Sequence, residues 1–157
     1  MITEVLADLD PVMPGVNRIE AVDLLIGTAA HESTIGGETH FYQVSGPARG
    51  IFQIEPATAL DVIRNYIAFR ESLVDWFMDR WINLAVDDWK LAYDLRFQIV
   101  MARLIYWRSN FDWPEPPNVE HSAPPTRYIR ELGEIWKEHY NTHLGKGTVE
   151  QFVEDYP

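Results

Sequence analysis

The sequence predicts a mainly α-helical domain carrying one small β-hairpin, and three observations predict it. Apolar residues recur at three- and four-residue intervals along most of the chain, the period of an amphipathic helix. Proline and glycine gather at three places, Pro11 to Gly15, Gly36 to Gly50 and Pro114 to Pro125, leaving long uninterrupted stretches between them. One run, Phe41 to Ile54, is rich in residues that favour strands.

Taken in order, Pro11, Pro14 and Gly15 end a short N-terminal segment. The stripe Ile19, Val22, Leu25, Ile26 and Ala29 predicts a helix with Asn17 as its N-cap and Glu32 in its last turn. Phe41, Tyr42, Val44, Ile51, Phe52 and Ile54 predict a hairpin, turned at Ser45 to Gly50, beside that helix. Pro56 then opens a second helix at its first position, where a missing N–H costs nothing, with Leu60, Ile63, Ile67 and Phe69 as its apolar face. Further helices are expected over Leu73 to Ala85, Leu91 to Arg108 and Thr126 to Tyr140, and a short one from Thr148. Between the last two long helices lies a proline-rich arm, residues 109–125.

The 157 residues fit one domain spanning 1–157, and 46% hydrophobic and 13% aromatic content suffices for a core. The net charge of −11, with 13 Lys and Arg scattered along the chain, argues against nucleic acid as a partner, which would need a concentrated basic patch. No stretch approaches the roughly 20 apolar residues of a membrane helix, so no membrane insertion is expected. The opening MITEVLADLDPVMPG has neither a basic start nor an apolar run, so no secretory signal is read there. There is no cysteine and hence no disulfide or thiol chemistry.

Candidate chemistry begins at His31-Glu32-Ser33. Burial beside apolar neighbours and the negative end of a helix dipole both disfavour a carboxylate anion, and a raised carboxyl pKa suits a general acid near neutral pH. An exposed helix-end glutamate is the commoner outcome at such a position. Downstream, Gly50-Ile51-Phe52-Gln53-Ile54-Glu55-Pro56-Ala57-Thr58 sets a glutamine between apolar residues just before a helix. Its amide both donates and accepts, as a sugar hydroxyl or acetamido group requires. Gly46 and Gly50 would let the backbone pass close to a ligand.

Together, LLIGTAAHEST and SGPARGIFQIEPATA resemble the lysozyme-like lytic transglycosylases, relatives of goose-type lysozyme. That family pairs an apolar helix ending in Glu-Ser with a Gly-rich link and then Gly-Leu-Met-Gln-Ile-x-Pro-x-Thr. The match covers roughly residues 22–62, under half the chain. The resemblance implies a lysozyme-like fold, Glu32 as catalytic acid/base, Ser33 orienting it or the substrate, and Gln53 lining a glycan cleft floored by Ile51 and Phe52. Ser45 joins the implied substrate-binding set. A third family motif, Ala-Tyr-Asn-Ala-Gly, finds its nearest counterpart in Tyr140-Asn141-Thr142, so Tyr140 and Asn141 are candidate substrate residues; a helix end with an asparagine cap is the plainer account of that pair.

The implied reaction cleaves the bond between N-acetylmuramoyl and N-acetylglucosaminyl residues of peptidoglycan. Glu32 protonates the leaving oxygen, and the muramoyl acetamido oxygen traps the cation. Glu32 as a base then deprotonates the C6 hydroxyl to give a 1,6-anhydro product. A hydrolase would need a second carboxylate, for which Glu38 and Glu55 are candidates. No cofactor and no metal are expected. His31-Glu32 lacks the second histidine of a zinc-protease motif, since Ile35 stands there. Leu144 to Thr148 lacks the upstream glycine of a phosphate loop and reads as a helix stop. The six tryptophans read mainly as core, with Trp113 of the arm left between overhanging the cleft and meeting a partner.

The expected partner is the glycan strand of the bacterial cell wall. The resemblance extends in a general way to bacteriophage proteins, either a virion component acting at entry or a lysis enzyme released from the host cytoplasm. A different class remains: a non-catalytic structural virion protein that keeps the fold and contacts other virion proteins.

Overall fold

The computed structural model describes residues 1–35, 38–39, 46–117, 124–141 and 145–157, with backbone alone at Ile35, Glu38 and Thr39. It is mainly helical. Eight α-helices are found among the described residues: α1 Ile2–Leu9, α2 Ile19–Ser33, α3 Pro56–Asn65, α4 Glu71–Trp81, α5 Asp88–Tyr93, α6 Leu95–Trp107, α7 Thr126–Trp136 and α8 Val149–Asp155.

Helix α2 is the centre of the packing, against α1, α6, α7 and α8. Its buried side chains Leu24 and Leu25 join one continuous cluster with Leu6, Leu9, Met101, Leu104, Leu132, Trp136 and Phe152. Arg18 is the N-cap, in extended conformation and with no side-chain capping bond, so the N-cap expected at Asn17 lies one residue further on. The helix ends as expected, with Glu32 in its last turn.

The hairpin expected over Phe41 to Ile54 is not seen. Residues 41–45, Ser45 among them, lie outside the described residues. The remainder is a turn closed by a single antiparallel bridge, Arg49 to Ile54. Gly50 (φ 74°) and Gln53 (φ 46°) both take left-handed dihedrals, and no extended strand runs through such residues. A ribbon of two-residue strands, β1 Thr34–Ile35 and β2 Glu38–Thr39, instead follows α2 directly.

Pro56 opens α3 at its first turn, as its missing N–H allows. The buried face of α3 is Ala59, Val62 and Ile63, followed by Ile67 beyond its end. Leu60 is only half-buried and Phe69 is exposed, because α3 stops at Asn65 and the helical register does not reach Phe69. Helix α4 starts and ends earlier than expected; the backbone leaves the helix at Ile82 (φ 62°).

The stretch expected as one helix from Leu91 to Arg108 is two, broken at Asp94. Its carboxylate accepts the Phe97 N–H (3.0 Å) as the N-cap of α6 and the Trp81 indole N–H (2.7 Å). An N-cap outside helical dihedrals satisfies donors that a continuing helix could not. Helix α7 runs on from Trp136 into a π turn, Lys137–Asn141, and α8 starts from Thr148 with a complete capping box.

The described part of the arm, 109–117, lies on the body of the domain. Phe111 stacks on His139 (5.0 Å between centroids), and Trp113 lies under the guanidinium groups of Arg18 and Arg103. Of the six tryptophans, Trp89 departs from the core reading, with 64% of its surface exposed. No helix among the described residues is long and apolar enough to cross a membrane.

Candidate active site

A cavity of about 540 Å³ opens at the C-terminal end of α2. Four segments far apart in sequence build it. Helix α2 contributes His31 and Glu32; the turn before α3 contributes Ala48, Gln53 and Ile54; α3 and its N-cap contribute Thr58 and Glu55. Ile105 of α6 forms one wall, and Tyr140, Asn141, Gly145 and Gly147 close the far side.

The Trp136 indole N–H donates to Glu32 Oε1 at 2.9 Å. Burial is the larger influence on its carboxyl group and pushes its pKa from 4.5 up to about 7, while the Trp136 bond pulls the other way. Trp136 is itself fully buried. A buried indole N–H needs an acceptor, and the carboxylate supplies it.

The turn carrying Gln53 is pinned from behind. Gln98 of α6, itself buried, accepts the Ile51 N–H at 2.9 Å. A Cβ on Gly50 would collide with the Gln98 amide and the Leu91 carbonyl, so the close approach that requires glycine here is to the protein's own backbone and not to a ligand. Gln53 donates to the Gly50 carbonyl (2.7 Å) and lies in the cavity wall. A non-glycine residue held at positive φ stores strain, which is common where a side chain must be aimed at a ligand.

Tyr140 and Asn141 reach the cavity through the π turn, a local widening often found at functional sites. The Tyr140 hydroxyl donates to the Phe52 carbonyl at 2.8 Å, tying the far wall to the Gln53 turn. Its ring stacks on Tyr106 (5.1 Å), whose hydroxyl meets Thr28 Oγ1 at 2.7 Å on α2. Burial raises the pKa of the Tyr140 phenol well above its usual value, and the charge of Glu32 adds to that. Asn141 Oδ1 accepts from Lys137 Nζ (2.8 Å), which also donates to the Gly145 carbonyl (2.9 Å).

The structure thus brings together Glu32, Gln53, Tyr140 and Asn141. It does not bring Ser33, Ile51 or Phe52 into the described wall. Ser33 is buried on another side of α2, and Phe52 turns its ring fully into the core, leaving only its carbonyl to serve the site. Ser45 and the Glu38 side chain lie outside what is described. Glu55 is exposed at the cavity rim.

Sequence reasoning missed four contributors. His31 lines the cavity, with Nδ1 2.6 Å from Asp155 Oδ2 across 124 positions of chain. Trp136 was readable only as core, although its N–H was a signal that a buried partner was needed. Gly145 and Gly147 read as a helix stop and in fact form part of the wall. No group of three or more histidine, aspartate or glutamate side chains that could hold a metal ion is found among the described residues. No family model matches the chain, and no curated protein and no solved structure matches it either.

Proposed function

We propose that this chain is a lysozyme-like lytic transglycosylase that cleaves the β-1,4 bond between N-acetylmuramoyl and N-acetylglucosaminyl residues of peptidoglycan. The observation that carries the reading is Glu32: a half-buried carboxyl group, raised to about 7, in the wall of a cavity it shares with Gln53, Tyr140 and Asn141. Glu32 and Gln53 come from the two stretches on which the resemblance rests, and Tyr140 and Asn141 from the nearest counterpart of the family's third motif.

In this scheme Glu32, protonated, gives its proton to the leaving glycosidic oxygen. The acetamido oxygen of the substrate closes on C1, so no second carboxylate is required. The C6 hydroxyl then displaces it and loses its proton to a base, for which the ionised Glu32 is at hand. Gln53 and Asn141 supply amides suited to sugar hydroxyl and acetamido groups. The setting proposed is the bacterial cell wall, with the chain as a bacteriophage virion component or lysis enzyme.

A hydrolase of the same bond is the second reading. Glu55 at the rim of the same cavity favours it, since an inverting or retaining hydrolase needs a second carboxylate.

The test is digestion of purified peptidoglycan by wild type and by Glu32→Gln, with muropeptides identified by mass. Anhydromuramoyl ends from wild type alone are the expected result. Reducing ends would instead establish the hydrolase. No product from a folded, monodisperse wild type would leave the structural virion protein as the account.

A further inference from the structure

His31 stands beside Glu32 in the same cavity wall, and the acid/base scheme leaves it unused. Its Nδ1 lies 2.6 Å from Asp155 Oδ2, the last residue of α8. An ionised carboxylate only accepts, so Nδ1 carries the proton of the neutral ring and Nε2 is left with a lone pair. The ring is held from a second side by the edge of Trp136 (4.4 Å between centroids, 69° between planes), the residue that also holds Glu32.

Gly147 packs against the Nε2 side of the ring. A Cβ on Gly147 would sit 2.8 Å from Nε2 and 2.6 Å from the Trp136 ring. Gly147 also lines the cavity, so the ring nitrogen that Asp155 does not occupy borders the cavity wall at a position where only a glycine fits. A base oriented by a carboxylate through its other nitrogen is the arrangement of activated nucleophile sites in general.

From this geometry we propose that His31, oriented by Asp155, is a second proton acceptor in the cleft and takes the proton of the attacking C6 hydroxyl. The inference rests on the transglycosylase reading and divides its two proton transfers between two residues. Glu32 gives a proton to the leaving oxygen as the C1–O bond breaks. As O6 bonds to C1 and the acetamido oxygen leaves C1, the O6 proton passes to Nε2. The imidazolium is stabilised by the Asp155 carboxylate and returns its proton to Glu32 through solvent. Asp155 touches no reacting atom and is a positioning residue.

The experiment compares wild type, His31→Gln and Asp155→Asn on purified peptidoglycan, separating anhydromuramoyl from reducing ends. With His31→Gln the anhydromuramoyl yield is expected to fall roughly 100-fold, the contribution of a general base, with reducing ends rising as water competes for C1. Asp155→Asn shifts the product ratio the same way by a smaller factor, which loss of packing alone would not do. Wild-type yield and ratio in a folded His31→Gln protein would overturn the proposal. A wild type that cuts nothing would overturn the transglycosylase reading itself. Where a variant does not fold, ¹⁵N spectra of the wild-type histidine rings decide: a neutral His31 with its proton on Nδ1 is expected, and a proton on Nε2 overturns the assignment.

Discussion

Glu32 ties the proposed chemistry to the stability of the fold in one group. Folding raises its pKa from 4.5 to about 7 by burial, so the folded chain holds this proton more tightly than the unfolded one. The stability that follows is fully present below pH 4.5 and is lost as pH rises through about 7. Glu32→Gln removes that loss. The variant should gain stability relative to wild type across this window by up to about 2 kcal/mol, after allowing for screening at the open side of the group. Denaturant titrations of both proteins at the two ends of the window would check it, and an equal difference at both ends would refute it. Trp136→Phe acts in the opposite sense to most losses of a contact. Its N–H favours the ionised carboxylate, so its removal should move the basic limb of the pH–rate profile upward from about 7, by about one unit. A limb that stays or moves down would show that the indole does not govern this proton.

At the scale of elements, the C-terminal helix α8 packs behind Trp136 and His31 at the cavity. Phe152 is fully buried and stacks on Trp136 at 5.4 Å, behind the face that holds Glu32. Gly27 of α2 and Gly133 of α7 give it room: a Cβ on Gly133 would stand 3.0 Å from its ring, and one on Gly27 closer still. Two helices thus accept one aromatic ring, at a position on α2 that leaves no space for a side chain and one on α7 where a side chain would crowd it. Phe152→Ala should cost about 3–5 kcal/mol of stability, the usual range for emptying an aromatic site in a core. Thermal unfolding measures that cost. Glycan cleavage well below the melting temperature should also fall, since Trp136 loses its support; full activity would show that α8 serves the fold alone.

Over the whole molecule the net charge is −11, and the ion pairs among the described residues include exposed ones such as Arg127–Glu131 and Arg130–Glu150. Exposed pairs contribute little, whereas the net repulsion acts against the compact state. Screening should therefore stabilise this chain. The melting temperature is expected to rise by roughly 3 °C from low to physiological ionic strength, the shift that ~1 kcal/mol makes for a domain of this size. A fall instead would mean that the ion pairs outweigh the repulsion.

The helical class, the end of α2 at Glu32, the start of α3 at Pro56 and the start of α8 at Thr148 were all legible in the sequence, because period, proline and capping chemistry act within a few residues. Glu32 and Gln53 were paired only through the resemblance, and the fold sets both in one cavity wall. What failed were readings that needed a distant partner. Propensity alone made Phe41 to Ile54 a hairpin, but Gly50 and Gln53 take left-handed dihedrals against Gln98 and Leu91 of a later part of the chain. One apolar period made α5 and α6 a single helix, until Asp94 found the Trp81 indole. Only the tertiary structure decided that Phe52 serves the site through its carbonyl and that Trp136 holds Glu32. It alone set His31 against Asp155, because a cavity is made by segments whose meeting leaves no local period to read.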